Sequence, residues 1–319
     1  MLLDINEIVI DSIKINFNKD ALWMLNIALA IIMFGVSLDI KINDFKELFK
    51  KPKIILIGLL SQFILLPFFT YLAICIIKPY PSFALAMMLI AACPGGNTSN
   101  FFSKMANGNT ALSVSLTSCA TLICLIMTPF NLHFWGSLYE PTNVILKNIS
   151  LNPFELFKIV LLILVAPLIT GMIVNNFYPK LAKKANSFLR PFSIIFFICL
   201  IIIALYNNAD IFKNYVHLVL FLVVFHNIYA FIIGYITAKS LKLNKKDSKT
   251  ISIETGIQNG GLGLILVFNF FEELGGMALL TAFWGVWGMF AGIILATFWG
   301  QKRINKNNFI TYIKTRLNF

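Results

Sequence analysis

One acid lies inside a long oily run, at Ile253-Glu254-Thr255-Gly256-Ile257-Gln258-Asn259-Gly260-Gly261. An ionisable side chain at membrane depth costs roughly 2.5–3.5 kcal/mol on insertion scales. The glycines and amides beside it weaken a helix at the same point. No Lys or Arg lies in the interior of an apolar run to pair with Glu254. A bound cation or a proton must therefore neutralise it. A second stretch, Cys93-Pro94-Gly95-Gly96-Asn97-Thr98-Ser99-Asn100, has the same character. Pro94 removes a backbone donor and clashes with the preceding turn, and the paired glycines let the chain unwind. An unwound helix presents free carbonyls at the end of its first half, which suit a hard cation. It presents free N–H groups at the start of its second half, which suit an anion. The oxygen-bearing side chains Gln62, Ser99, Asn100, Ser113, Thr117, Glu254 and Gln258 fit Na⁺, which prefers oxygen ligands. Ser113 and Thr117 are four apart and share a helix face. Each also has an ordinary reading as a hydroxyl bonded back to its own helix. Gln62 reads equally as helix–helix glue.

The elements that must position these groups follow from composition. The 319 residues are 58% hydrophobic and 13% charged, with a mean hydropathy of +0.81. Soluble proteins are about 25% charged. Apolar runs of about 18 residues or more recur, so the chain reads as an all-α polytopic membrane protein. About nine spans are expected, near 21–40, 54–77, 82–107, 109–133, 156–177, 191–207, 215–238, 250–272 and 277–299. The net charge of +12 does not indicate nucleic acid, because the 26 Lys and Arg cluster in short loops between apolar runs. Loops 41–53, 178–190 and 239–249 and the tail after 299 are the basic ones, and nine spans place all four on the cytoplasmic side. The N-terminus is then outside and the C-terminus inside. Segment 1–20 carries Asp4, Glu7 and Asp11 and lacks the order of a cleaved signal peptide. Cys75, Cys93, Cys119, Cys124 and Cys199 lie in apolar stretches without metal-ligand spacing and read as packing residues. His133, His217 and His226 read as hydrogen-bonded structural residues. No nucleophile–base pair suggests an enzyme.

The two interrupted spans are each the third of a block, 21–133 and 191–299, and they enter from opposite sides. Broken helices at matching positions of inverted halves point to a secondary-transporter site. Ordinary Gly/Pro kinks are the alternative.

At these motifs the chain resembles the bile acid:sodium symporter family. The resemblance runs from about 21 to 299 and rests on Cys93–Asn100, on Ala111-Leu112-Ser113-Val114-Ser115-Leu116-Thr117-Ser118, and on Glu254–Asn259. It implies a core and a panel domain, with the two broken helices crossing in the core. The implied core halves are 54–133 and 211–299, broken at 93–100 and 254–263, and the panel is 21–53 plus 134–210. It implies two sodium sites: one from Ser99, Asn100, Ser113, Thr117 and Glu254, the other from Gln62, Glu254, Gln258 and the carbonyls of Thr255 and Ile257. Two ions with Glu254 leave a net +1 (2 − 1), which with the half-helix N-termini would attract a carboxylate or sulfonate near Asn97, Thr98, Asn259 and Gly260. Three departures stand out. Residues 1–20 are too polar for the extra first helix of many bacterial members, many members carry Thr at the position of Asn97, and Gly288-Met289 follows Trp287 where some bacterial members have His-Asn. The implied activity is sodium-coupled symport by alternating access, at a bacterial inner membrane. The substrate would be an organic anion, bile-acid-like or a small carboxylate such as pantoate. Proton coupling, efflux, and a sodium-binding channel or sensor are the alternatives.

Overall fold

The computed structural model describes residues 52–149, 161–207, 209–271 and 274–300, with scattered positions between 26 and 38 and at Phe154, Phe157 and Lys158. Segment 1–20, most of the basic loop 41–53, Glu272, Glu273 and the tail after 300 lie outside the described residues.

The described chain is helical. Helix α1 (Pro52–Ile77) carries a π-helical turn at Ser61–Leu65. It is followed by α2 (Pro81–Ala92), α3 (Thr98–Met105), α4 (Thr110–Leu138), α5 (Glu140–Asn148), α6 (Leu161–Phe177) and α7 (Pro179–Asn207). Then come α8 (Ala209–Ser240), α9 (Lys245–Gly256), α10 (Gly260–Phe270) and α11 (Gly275–Gly300). Helices α1, α4 and α11, and Val219–Ser240 within α8, are long and apolar enough to cross a membrane. Their outward stripes are apolar at a spacing of four, as in Leu56, Leu60, Ile64 and Phe68, all exposed. A protein dissolved in water would carry charge there; one dissolved in lipid carries hydrocarbon. The chain is therefore a multi-pass membrane protein.

Three expected loops differ from the structure. The segment expected to be a loop at 134–155 holds the end of α4 and all of α5. The basic segment 178–190 is helical from Pro179, and α8 begins at Ala209 rather than near 215. Local charge lowers hydropathy without lowering helix propensity, since Lys and Arg are good helix formers.

Both expected breaks are present. Helix α2 stops at Ala92 and α3 starts at Thr98; α9 stops at Gly256 and α10 starts at Gly260. The breaks lie against each other and exchange backbone bonds, Gly96 N–H to Ile257 O at 2.7 Å and Asn259 N–H to Pro94 O at 2.9 Å. They flank an isolated antiparallel bridge between Gly95 and Gln258. The freed carbonyls inside are filled by side chains from neighbouring helices. Gly96 N–H turns away from the Ala92 carbonyl, and Thr128 Oγ1 of α4 donates to it at 2.7 Å. Gly260 N–H turns to Gln258 O, and Asn227 Nδ2 of α8 donates to the Gly256 carbonyl at 2.7 Å. In α1, Pro67 and the change of helical register leave carbonyls unfilled, and Asn131 Nδ2 reaches Phe63 O at 2.9 Å. A buried carbonyl without a donor costs about 1–3 kcal/mol. Thr128→Val, nearly isosteric, is expected to destabilise the protein by about that much, read as a lower melting temperature in detergent.

Candidate functional site

The carboxylate of Glu254, in the last turn of α9, is fully buried. Three hydroxyls converge on it. Ser99 Oγ, from the first turn of α3, donates to Oε1 at 2.5 Å. Ser113 Oγ of α4 donates to the same oxygen. Thr117 Oγ1, one turn further along α4, lies 2.9 Å from Oε2 and 3.2 Å from Oε1. Asn100 Oδ1 is 3.4 Å from the Thr117 hydroxyl. The five residues of the first expected ligand set thus form one cluster. Ser113 and Thr117 do not bond back to their own helix through their hydroxyls; they face the acid. Among the described residues no lysine or arginine bonds to Glu254, and no group of three or more His, Cys, Asp or Glu comes together. The site is hard and oxygen-lined, which suits an alkali cation rather than a transition metal.

Of the second expected set, Gln62 Nε2 and Glu254 Oε2 both face Gly95, at 3.0 and 2.9 Å from where its Cβ would stand. Gln62 is fully buried in the π turn of α1, and neither its Oε1 nor its Nε2 has a hydrogen-bond partner. Gln258 Nε2 donates to Thr255 O at 2.8 Å, while its Oε1 is buried and unpartnered. Thr255 Oγ1 meets Ser61 Oγ at 2.9 Å. Ile257 O accepts from Gly96 N–H and keeps one lone pair. Gln62 Oε1 and Gln258 Oε1 are buried acceptors without donors, and such atoms favour a positive charge. Sodium chemistry fits them.

The glycines of the first break serve this approach. No glycine among the described residues has positive φ, so at Gly95 and Gly96 the missing side chain matters for space as well as for the break. A Cβ on Gly95 would stand 2.9 Å from Glu254 Oε2 and 3.0 Å from Gln62 Nε2. A Cβ on Gly96 would stand 3.0 Å from Gln258 O. Any side chain here would fill the space between Glu254, Gln62 and Gln258.

The expected substrate residues fall into two kinds. Asn97 precedes α3 without capping it through its side chain and is half-buried, and Thr98 is exposed. Both are open to a ligand. Asn259 Oδ1 instead caps α10, accepting from Leu262 N–H at 3.0 Å, so only its amide N–H₂ remains free to donate. Gly260 is buried against α11, where its Cβ would lie 2.9 Å from Gly285 Cα. His226 is buried, with Nε2 2.9 Å from Thr70 Oγ1, as a structural histidine would be. Sequence reasoning missed Thr128, Asn131 and Asn227; each is a polar residue in an apolar helix, and that was the available signal.

A multi-pass helical protein with two joined helix breaks around a buried, oxygen-lined carboxylate belongs to the class of membrane transport proteins. The chain belongs to the Sodium Bile acid symporter family, whose profile matches residues 26–215. It is 33% identical over 279 residues to the uncharacterized sodium-dependent transporter YocS of Bacillus subtilis, covering 87% of this chain and 83% of that protein. It is 29% identical over 295 residues to the human ileal sodium/bile acid cotransporter, covering 89% of this chain and 81% of that protein. A probable chloroplast sodium/metabolite cotransporter of Arabidopsis thaliana, BASS1, is 28% identical over 246 residues, covering 77% of this chain and 59% of that protein. These relatives are sodium-dependent transporters, not enzymes.

Proposed function

We propose that this protein is a sodium-coupled symporter of an organic anion. The observation that carries the reading is the Glu254 carboxylate, fully buried and met by three hydroxyls, in a core that also buries the unpartnered amide oxygens of Gln62 and Gln258. Two ions are held: one by Ser99, Asn100, Ser113, Thr117 and Glu254, the other by Gln62, Glu254, Gln258 and the carbonyls of Thr255 and Ile257. Sodium supplies the positive charge that lets the acid stay ionised at membrane depth. It also ties the N-terminal turns of α3 and α4, the last turn of α9 and the π turn of α1 to one point. The resulting positive centre, with the N-terminus of α3, attracts an anionic substrate beside Asn97, Thr98, Asn259 and Gly260. The relatives' names, which speak of bile acids and metabolites, support an organic anion.

Nine spans in inverted halves, with a core of 54–133 and 211–299 moving against a panel of 21–53 and 134–210, provide the alternating access. The membrane is the bacterial inner membrane, with the N-terminus outside and the C-terminus in the cytoplasm. Substrate and sodium must tighten each other's binding by the same factor.

The test is uptake of radiolabelled carboxylates and bile salts into proteoliposomes, with Na⁺ replaced by K⁺ or choline at fixed pH. Sodium-driven accumulation is expected. Uptake driven equally well in choline by a pH gradient would replace sodium with proton coupling. Sodium binding without any solute counterflow would point to a channel or sensor.

A further inference from the structure

Lys249 sits in the basic segment 239–249, among lysines that read as a solvated cytoplasmic run. Lys239, Lys242, Lys245 and Lys246 are exposed, but Lys249 is 7% exposed and Asp247 is 3% exposed. The two belong to a buried knot where four helices end. Lys249 Nζ donates to Ala106 O, at the C-terminal end of α3, at 2.8 Å, and to Trp299 O, in the last turn of α11, at 3.0 Å. A cation at two helix C-termini meets the negative ends of both dipoles. Asp247 receives Asn109 Nδ2 at 2.7 Å on one oxygen and Asn244 Nδ2 at 2.5 Å on the other. Those two asparagines are the N-caps of α4 and α9. Thr250 Oγ1 accepts from Asn109 N–H at 2.8 Å and donates to Asn109 O at 3.3 Å. Gly108 lies so close that a Cβ there would be 2.6 Å from Thr250 Oγ1.

The knot joins the three elements that feed the acid. Thr250 and Asp247 are four and seven residues before Glu254 and share its face of α9. Asn109 is four residues before Ser113, whose N–H bonds to the Asn109 carbonyl at 3.0 Å. Ala106 closes the short helix that begins beside Ser99. We propose that Asp247, Lys249 and Thr250 are positioning residues that lock the α3–α4 corner onto α9, and so set how closely the Ser99, Ser113 and Thr117 hydroxyls approach Glu254 and how tightly sodium binds. This rests on the Glu254 cluster being a sodium site.

The test is a thermal-shift titration of the full-length protein in detergent with NaCl, choline chloride holding ionic strength constant. Asp247→Asn and Lys249→Met are expected to raise the half-saturating sodium concentration at least about tenfold, as loss of outer-shell support does at ion sites. Lys249→Arg, which keeps the positive charge at the two helix C-termini, is expected to return it to within about twofold of the native value. A purely structural knot would lower the melting temperature in choline and leave the half-saturating concentration unchanged in all three variants; that result overturns the proposal. Should Lys249→Met not fold, the near-isosteric Asp247→Asn and Thr250→Val decide the same question. A native protein that shows no sodium response removes the sodium reading and the proposal together. A native response with unshifted variants removes only the proposal.

Discussion

Glu254→Gln is expected to abolish sodium-driven uptake while leaving a folded protein. The substitution keeps the shape and one oxygen acceptor for the Ser99 and Ser113 hydroxyls, so the apo structure loses little. What it removes is the negative charge that the proposed sodium sites share. Breaking a buried ion pair by deleting one partner costs about 3–5 kcal/mol, and about 1.4 kcal/mol is tenfold in affinity. Sodium affinity is therefore expected to fall by about two to four orders of magnitude. Uptake at ordinary sodium concentrations then drops below detection. Two measurements check this together: proteoliposome uptake, and the sodium-dependent rise in melting temperature, which mass action requires of any ligand that binds only the folded state. Retained sodium stabilisation in Glu254→Gln would place the ion elsewhere. Glu254→Asp separates charge from reach. It keeps the charge one methylene short of Ser99 and Thr117, and a weakened but measurable sodium response is expected.

Gly95→Ala is expected to have the second-largest effect, from a single methyl group. Its Cβ would lie 2.9 Å from Glu254 Oε2 and 3.1 Å from the Glu254 carbonyl. The carbonyl belongs to the backbone of α9 and cannot rotate aside, and the bonds between the two breaks resist separation. Overpacking of a tight interior costs about 1–3 kcal/mol. Here the greater loss is functional, because the methyl occupies the space between Gln62 and Glu254 where the second ion would sit. Loss of sodium-dependent uptake with a melting temperature lowered by several degrees is expected. Gly285→Ala is the control: its Cβ would meet nothing closer than Gly260 Cα at 3.9 Å. It should transport like the native protein. Equal tolerance of both alanines would mean that the breaks are looser than the hydrogen bonds between them require.

Sequence by itself determined the solvent of this protein and the places where its helices fail. Hydropathy is a local property, and a run of 18 or more apolar residues has one stable solution in lipid. Pro94 and the glycine pairs marked the breaks for the same reason: backbone preference is written in a few adjacent residues. The oxygen inventory was legible too, because a lone acid in an apolar run stands out from its neighbours. Only the tertiary structure decided how these parts meet. The bonds from Ser99, Ser113 and Thr117 to Glu254 close over 155, 141 and 137 residues, and no local pattern encodes that distance. The same holds for Lys249, which reads as one more cytoplasmic charge until Ala106 and Trp299, 143 and 50 residues away, bring their carbonyls to it. Both whether such a polar atom is buried and whether it is satisfied are set by partners that only folding supplies.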